Sequence, residues 1–126
     1  MSVRLSLPGA ARYDPPALAS VDEFLSLELR VGTIVSARVL RGARKPSYAL
    51  SIDFGALGQK TASAQIAGLY ESDDLVGLQV VAIVNLPMKR VAGLDSEVLV
   101  LAVDDGKGES VLLIPERPVP DAGRVR

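Results

Sequence analysis

The chain has 126 residues, 14 of them basic and 15 acidic, and it contains no cysteine, histidine or tryptophan. This length predicts one domain with a single hydrophobic core. The missing residue types exclude disulfides, thiolate catalysis, the usual zinc sites and Ser-His-Asp triads. The net charge of −1 argues against a surface that is positive all over and binds nucleic acid everywhere.

The start of the chain is rich in residues that break regular structure, with Pro8, Gly9, Pro15 and Pro16. It predicts a loosely ordered arm (residues 1–19) ahead of a single domain (residues 20–126), and it lacks the apolar stretch of a secretory signal. The longest wholly apolar run, residues 98–103, is far shorter than the ~20 residues of a membrane-spanning helix. We therefore expect a cytoplasmic protein that does not insert into membranes.

The first predicted element is a short helix that begins after Ser20. Glu23 follows Ser20 at the spacing of a capping box. Residues 28–40 then alternate between apolar and polar types, which predicts a long strand, and Gly32 in its middle suggests a bend or bulge. On this alternation, one face of the strand carries Leu29, Val31, Val35, Ala37 and Val39.

The rest of the chain alternates between short apolar strands and breaker-rich loops. Strands are predicted at residues 47–54, 60–65, 79–84, 97–103 and 111–114, a short helical connector at residues 66–70, and a long loop at residues 85–96. This order predicts an all-β fold with small α content: a five-stranded Greek-key barrel of the oligonucleotide/oligosaccharide-binding (OB) type, with a short N-terminal helix and flanking C-terminal strands. An unspecified small β-barrel or sandwich fits the pattern equally well.

Basic residues concentrate in the two loops through which an OB-fold usually binds its ligands. Residues 30–60 hold six basic residues and one acid, a net charge of +5 in a nearly neutral chain. This distribution predicts a confined phosphate-binding patch, and the alternative is that exposed loops carry cations for solubility. The cations of the two loops are Arg41, Arg44 and Lys45 in the first and Lys89 and Arg90 in the second.

The aromatic residues do not form a predicted stacking platform for bases. Tyr48 and Phe54 share one strand face with Leu50 and Ile52, so we expect both rings in the core. Proteins that bind single strands generally stack bases on several exposed aromatic side chains. Recognition of a folded RNA through its shape and phosphates is the form of nucleic-acid binding that this sequence allows.

Two predicted strands are apolar on both faces, at residues 80–84 and 98–103. A strand with one solvated face would alternate instead. Either the N-terminal helix and the C-terminal segment cover the second face, or a homodimer buries it, and we expect the homodimer because a small barrel has little internal cover.

No motif indicates catalysis. Gly106-Lys107-Gly108 lacks the spacing of a phosphate loop, and no serine lies in a GxSxG elbow. The paired carboxylates Asp73/Asp74 and Asp104/Asp105 lie in turn-like segments, where we expect them to be solvated. The sequence therefore predicts a protein that is not an enzyme and holds no metal or cofactor.

Three stretches carry a resemblance to a known family: LELRVGTIVSARVL, ARKPSYALSIDFG, and the segment from SAQI to VLVLAV. They resemble the tRNA-binding domain of the EMAP and methionyl-tRNA-synthetase C-terminal type. More narrowly, SAQI, NLPMKR, SEVLVL and the ending LLIPERPVPDAGRV are similar to the CsaA branch, bacterial chaperones related to protein export. The resemblance covers residues 21–126. It implies a non-enzymatic OB-fold homodimer that binds unfolded or export-bound polypeptides and carries a tRNA-binding-type surface.

The resemblance also implies binding positions in this sequence. Where tRNA-binding relatives read S-x-G-M, this chain reads Ser96-Glu97-Val98-Leu99, which favours the chaperone branch over a tRNA- or structured-RNA-binding module. The family's basic loop, serine-glutamine element and second loop, together with the charge pattern, give these candidate binding residues: Arg41, Arg44, Lys45, Ser63, Gln65, Asn85, Lys89, Arg90 and Ser96.

Overall fold

The computed structural model describes residues 13–126, and most of the predicted N-terminal arm lies outside these residues. Residues 13–19 are exposed and without regular secondary structure. The helix α1 (Val21–Ser26) follows directly. Ser20 Oγ accepts a hydrogen bond from Glu23 N–H (3.0 Å), and Glu23 Oε1 accepts one from Ser20 N–H (2.9 Å). The predicted capping box is therefore confirmed.

The strands that follow α1 have these bounds: β1 Leu29–Val39, β2 Tyr48–Asp53, β3 Gln59–Ala64, β4 Gln79–Ile83, β5 Lys89–Val91, β6 Leu94–Ser96, β7 Leu99–Val100, β8 Ala102–Asp104 and β9 Ser110–Leu112. They form one five-stranded antiparallel sheet, in the order β3-β2-β1-β4-β7, and two separate hairpins, β5–β6 and β8–β9. A 3-10 turn, Gly55–Leu57, joins β2 to β3, and a short helix, α2 (Ser72–Leu75), precedes β4.

The sheet closes nearly to a barrel because the segment after β5 lies against the outer edge of β3. Glu97 N–H donates to Thr61 O (2.8 Å), and Thr61 Oγ1 donates to Asp95 O (2.5 Å). Ser63 N–H donates to Ser96 Oγ (3.0 Å). A mostly β, nearly closed barrel of five antiparallel strands is an OB-like fold, as the order of predicted elements indicated.

Apolar side chains from β1, β2 and β4 fill the interior of this barrel and form the core. Ile34, Ile52 and Phe54 are fully buried, and Tyr48 is buried with its hydroxyl donating to Tyr70 O (2.7 Å). The prediction that Tyr48 and Phe54 belong to the core is confirmed. Gly32 packs against Ile52 and Phe54: a methyl group on Gly32 would lie 2.7 Å from the Phe54 ring, which explains a glycine inside a strand.

The predicted apolar face of β1 is wrong at Val35 and Val39, whereas Ala37 packs against the core as predicted. The pairing of β1 with β2 shifts register between Ile34 and Ser36, which marks a β-bulge. The bulge turns Ile34 into the core and leaves Val35 and Val39 41 % and 64 % exposed. A bulge changes the phase of the alternation, so a period of two cannot be carried across it.

The helical connector expected at residues 66–70 is a turn, and the helix forms one segment later, at α2. Gly68 lies beside the Glu109 carboxylate, which would have to move to admit a side chain there. The Tyr70 carbonyl accepts from Tyr48, and the Tyr70 hydroxyl accepts from Leu112 N–H. These tertiary bonds stabilise a turn, whereas α2 carries Asp73 and Asp74 in its first turn, where acidic residues favour a helix.

Two other predictions about the second half of the chain are corrected. The loop expected at residues 85–96 contains the β5–β6 hairpin, with Ala92 and Gly93 at positive φ in its turn. The strand expected at residues 97–103 is divided into β7 and β8. The division falls at Leu101, whose N–H donates to Val81 O while its own carbonyl accepts from Leu113 N–H, so the chain changes partners there.

The C-terminal segment runs along the edge of β1 that β2 leaves free. Val31 N–H donates to Gly123 O (2.9 Å), and Ala122 N–H donates to Val31 O (2.8 Å). Within the single chain Val80, Val81 and Ala82 are already buried, so the second face of β4 needs no partner copy for its cover.

In the part of the chain that the structure describes, no helix is long and apolar enough to cross a membrane.

Candidate binding groove

Six of the predicted binding residues line one cavity of about 890 Å³, which we call the basic groove. It lies between the β1–β2 loop (residues 40–47) and the β5–β6 hairpin, with the end of β3 and the strand β7 beneath. The six residues are Arg44, Ser63, Gln65, Lys89, Arg90 and Ser96.

The β1–β2 loop forms the first wall. Its two ends are fixed, because Leu40 N–H donates to Ser47 O (3.0 Å) and both residues are buried. Ser47 Oγ donates to Lys45 O (2.8 Å), which holds the loop in a tight turn. Arg44 and Lys45 between these anchors are exposed. The loop therefore presents its cations on a short, fixed support.

The β5–β6 hairpin forms the second wall. Lys89 pairs with Ser96 and Arg90 with Asp95 along its ladder. Since Asp95 O and Ser96 Oγ both bond to β3, the hairpin is fixed on the barrel. Its turn meets the β1–β2 loop: a methyl group on Gly42 would lie 3.8 Å from Ala92 Cβ.

The charges of the groove are mostly positive. Within residues 13–126, no carboxylate forms an ion pair with Arg44 or Lys89, whereas Arg90 Nη1 pairs with Asp95 Oδ1. Glu97 also lines the groove, but its Oε1 accepts from both the N–H and the hydroxyl of Thr61. The groove therefore presents two cations without a counter-charge to an anionic ligand.

Two polar side chains at the floor of the groove, Ser96 and Gln65, differ in their hydrogen bonds: the Ser96 hydroxyl is bonded within the fold, and the Gln65 amide is free of partners in the described chain. Ser96 Oγ accepts from Ser63 N–H and donates to Val98 O (3.4 Å), so its bonding capacity serves barrel closure. Gln65 is exposed, and its amide has no hydrogen-bond partner among residues 13–126. The Gln65 amide can therefore bond to a ligand.

The structure places the other three predicted residues outside the groove lining. Arg41 and Lys45 are exposed on the same β1–β2 loop and extend its positive surface. Asn85 lies at the end of β4 beside a separate cavity of about 230 Å³. Its Oδ1 accepts from Glu28 N–H (2.8 Å) and its Nδ2 donates to Ser26 O (2.8 Å), so it ties α1 and β1 to β4.

Apolar side chains that sequence reasoning did not assign to a site also line the groove, among them Ile66, Val91 and Leu99. Leu99 is half exposed, and its place in an apolar run suggested a strand face rather than a site. The two hairpin strands, Lys89–Val91 and Leu94–Ser96, are too short and show no period-two alternation that would have identified them in the sequence. The groove thus combines an apolar lining with cations at its sides.

Outside the groove, several acidic side chains of the described residues form local pairs and turns. The hydrogen bond from the Arg30 guanidinium holds the pKa of Glu28 below its ordinary value, and this pair lies at the start of β1, outside the groove lining. In residues 13–126, no group of three or more acidic, histidine or cysteine side chains could hold a metal ion. The groove is built from loops and strand ends.

Comparison with known proteins gives the same fold and a family. The family model described as "Putative tRNA binding domain" matches residues 29–123. The crystal structure of the chaperone CsaA from Bacillus anthracis str. Ames has a TM-score of 0.83 and 47 % sequence identity, covering 87 % of this chain and 100 % of that one. The CsaA chaperone protein from Picrophilus torridus has a TM-score of 0.80 and 36 % identity, covering 86 % and 100 %.

Among curated relatives, the methionine–tRNA ligase of Methanoculleus marisnigri is 33 % identical over 126 residues, which is 100 % of this chain and 18 % of that protein. This chain therefore spans less than a fifth of the length of the ligase. The likeness to it concerns one domain, whereas the likeness to the CsaA structures extends over those whole chains. With its OB-like barrel and a family model matched over residues 29–123, the chain belongs to the tRNA-binding domain family.

Proposed function

We propose that the basic groove binds structured RNA of the tRNA type. One observation carries this proposal: Arg44 of the β1–β2 loop and Lys89 of the β5–β6 hairpin line the same groove without a carboxylate partner among the described residues. Clustered cations bind a phosphate backbone because they release its condensed counterions. The β1–β2 loop and the segment after β4 are also the places where OB-folds meet their ligands.

The groove suits a folded RNA better than a single strand. Tyr48 and Phe54 are core residues, and no aromatic side chain of the described chain lines the groove. Stacking on aromatic rings, which gives single-strand binders much of their affinity, is therefore absent from this surface. Phosphate contacts together with hydrogen bonds from Gln65 fit recognition of RNA shape.

Labelled tRNA titrated with the protein at several salt concentrations tests this proposal. We expect affinity to fall steeply with salt, and Arg44→Gln or Lys89→Gln to make the slope of log K against log salt shallower by about 1. Lys107→Gln is the matched control, because Lys107 is an exposed lysine on the β8–β9 turn, outside the groove. Undetectable binding of tRNA at low salt contradicts the proposal.

A second function, that of a CsaA-like chaperone, is supported by the apolar lining of the groove and by the likeness to CsaA chains over their full length. In this role the protein would act as a cytoplasmic homodimer that binds unfolded polypeptides and assists protein export, without catalysis. Apolar side chains that bind unfolded segments and cations that bind their acidic residues are the two features such a groove needs. Exposed apolar residues on α1, such as Phe24 and Leu25, are available for the homodimer contact.

The chaperone role predicts that aggregation of a denatured client is suppressed without ATP at a near-stoichiometric ratio of dimer to client. Leu99→Ser should weaken this suppression, because Leu99 lines the groove and is 49 % exposed. Leu69→Ser is the control, since Leu69 is equally exposed but lies outside the groove lining. Unchanged aggregation at excess wild-type protein contradicts this role, and sedimentation equilibrium measures the homodimer.

A further inference from the structure

The three cations that line the basic groove are not equivalent. Arg44 and Lys89 have no ion-pair partner within residues 13–126, whereas Arg90 is bound to Asp95 directly across the β5–β6 ladder. The Arg90 and Asp95 side chains are 66 % and 47 % exposed, so this pair lies in water at the side of the groove. An RNA phosphate that approaches Arg90 therefore meets a carboxylate already in place.

We infer that Asp95 is a positioning residue that limits the RNA affinity of the groove by holding Arg90. This inference rests on the proposed RNA binding and names a residue that sets its affinity. Exposed ion pairs are weak and screened by salt, so a phosphate can take the place of the carboxylate. This exchange nevertheless breaks the Arg90–Asp95 ion pair and brings a phosphate close to the negative charge of Asp95. The RNA therefore gains the full electrostatic attraction of Arg44 and Lys89, but only part of the attraction of Arg90.

The hairpin does not depend on the Asp95 carboxylate for its attachment to the barrel. The backbone carbonyl of Asp95 accepts from Thr61 Oγ1, and Ser96 Oγ accepts from Ser63 N–H. The side chain of Asp95 can therefore be changed while the β6 backbone keeps these contacts. Asp95→Asn removes the charge at nearly constant shape, and Asp95→Glu keeps the charge.

The test is a double-mutant cycle of Asp95→Asn and Arg90→Gln, with labelled tRNA titrated at several salt concentrations. We expect Asp95→Asn to raise the affinity about fivefold at low salt and to steepen the salt slope by about 1, because Arg90 becomes a full phosphate contact. In the Arg90→Gln background, Asp95→Asn should have little effect. Asp95→Glu should bind like the wild type. Asp74→Asn is the control: it makes the same change of charge at exposed helix α2, and we expect no effect.

The outcomes separate this inference from the proposed function. If the wild type binds tRNA but Asp95→Asn does not change the affinity, the inference is wrong and RNA binding stands. A gain that persists in the Arg90→Gln background, or that Asp74→Asn reproduces, also overturns it, since net charge alone would then explain the effect. If the wild type does not bind tRNA, the proposed function and this inference both fail. Thermal unfolding of each variant confirms that the fold is intact.

Discussion

Gly42 of the β1–β2 loop lies beside Ala92 in the turn of the β5–β6 hairpin. A methyl group on Gly42 would lie 3.8 Å from Ala92 Cβ, so the turn of the β5–β6 hairpin lies against the β1–β2 loop. Both residues have positive φ, +87° for Gly42 and +48° for Ala92. Two segments that are distant in sequence thus lie side by side, and each carries cations of the groove.

Ala92 is a point of backbone strain, and relief of that strain should stabilise the protein. Ala92 and Gly93 both have positive φ in a two-residue turn, a conformation for which Asn-Gly is the preferred sequence. We expect Ala92→Asn to raise the free energy of unfolding by about 1 kcal/mol, measured by urea denaturation. Ala56→Asn is the control, because Ala56 is exposed and has no positive φ. Equal stability of the wild type and Ala92→Asn would show that Ala92 is unstrained.

Gly32 is required for close packing rather than for backbone freedom. A methyl group there would lie 2.7 Å from both Ile52 Cγ2 and the Phe54 ring. We expect Gly32→Ala to lower the free energy of unfolding by about 2–3 kcal/mol, because the core side chains must shift to admit it.

Gly77 provides the comparison for this prediction. Its φ is +90°, but a methyl group on it would meet no atom within 4 Å. Gly77→Ala should therefore cost about 1 kcal/mol, the strain of the left-handed conformation alone. If Gly77→Ala costs as much as Gly32→Ala, packing does not explain the glycine in β1.

The core and the β1–β2 loop could be predicted because their signals are local. Tyr48, Ile52 and Phe54 alternate with polar residues along a short strand, so their common burial follows from the period of a strand. Arg44 lies between breakers of regular structure, which identifies its loop, whereas the loop predicted around Lys89 is in fact the β5–β6 hairpin. That both lie at one groove follows from the OB-like topology once five strands and a short helix are recognised.

The features that could not be predicted depend on partners elsewhere in the chain. The β5–β6 hairpin has an Ala-Gly turn, and alanine does not signal positive φ. The bulge after Ile34 is set by the pairing of β1 with β2, and the adjacent apolar residues Ile34 and Val35 do not by themselves show which of the two faces the core. Arg90 pairs with Asp95 because of the register of the hairpin. Their separation of five positions in the sequence does not by itself determine that register.

Asn85 and Gln65 should have opposite effects when they are changed. Asn85 bonds to Glu28 N–H and Ser26 O, so we expect Asn85→Ala to lower the free energy of unfolding by about 1–2 kcal/mol and to leave tRNA affinity unchanged. The Gln65 amide has no partner among the described residues and faces the groove, so Gln65→Ala should weaken tRNA binding with little change in stability. Urea denaturation and tRNA titration of both variants measure this. Loss of affinity in a stable Asn85→Ala variant would instead identify Asn85 as a binding residue.

Ser96 lines the groove, but its hydroxyl serves the closure of the barrel. It accepts from Ser63 N–H (3.0 Å), a half-buried donor at the edge of β3, and donates to Val98 O. Ser96→Ala leaves that N–H without a partner, so we expect the free energy of unfolding to fall by about 1–2 kcal/mol.

Ser110 offers a matched control for this variant, since it also lines the groove and its hydroxyl has no hydrogen-bond partner within residues 13–126. Ser110→Ala should change the free energy of unfolding by less than about 0.5 kcal/mol. Far below the unfolding temperature, tRNA affinity of Ser96→Ala should match that of the wild type, because its hydroxyl already has both a donor and an acceptor in the fold. An affinity loss at unchanged stability would show that the Ser96 hydroxyl contacts the RNA directly.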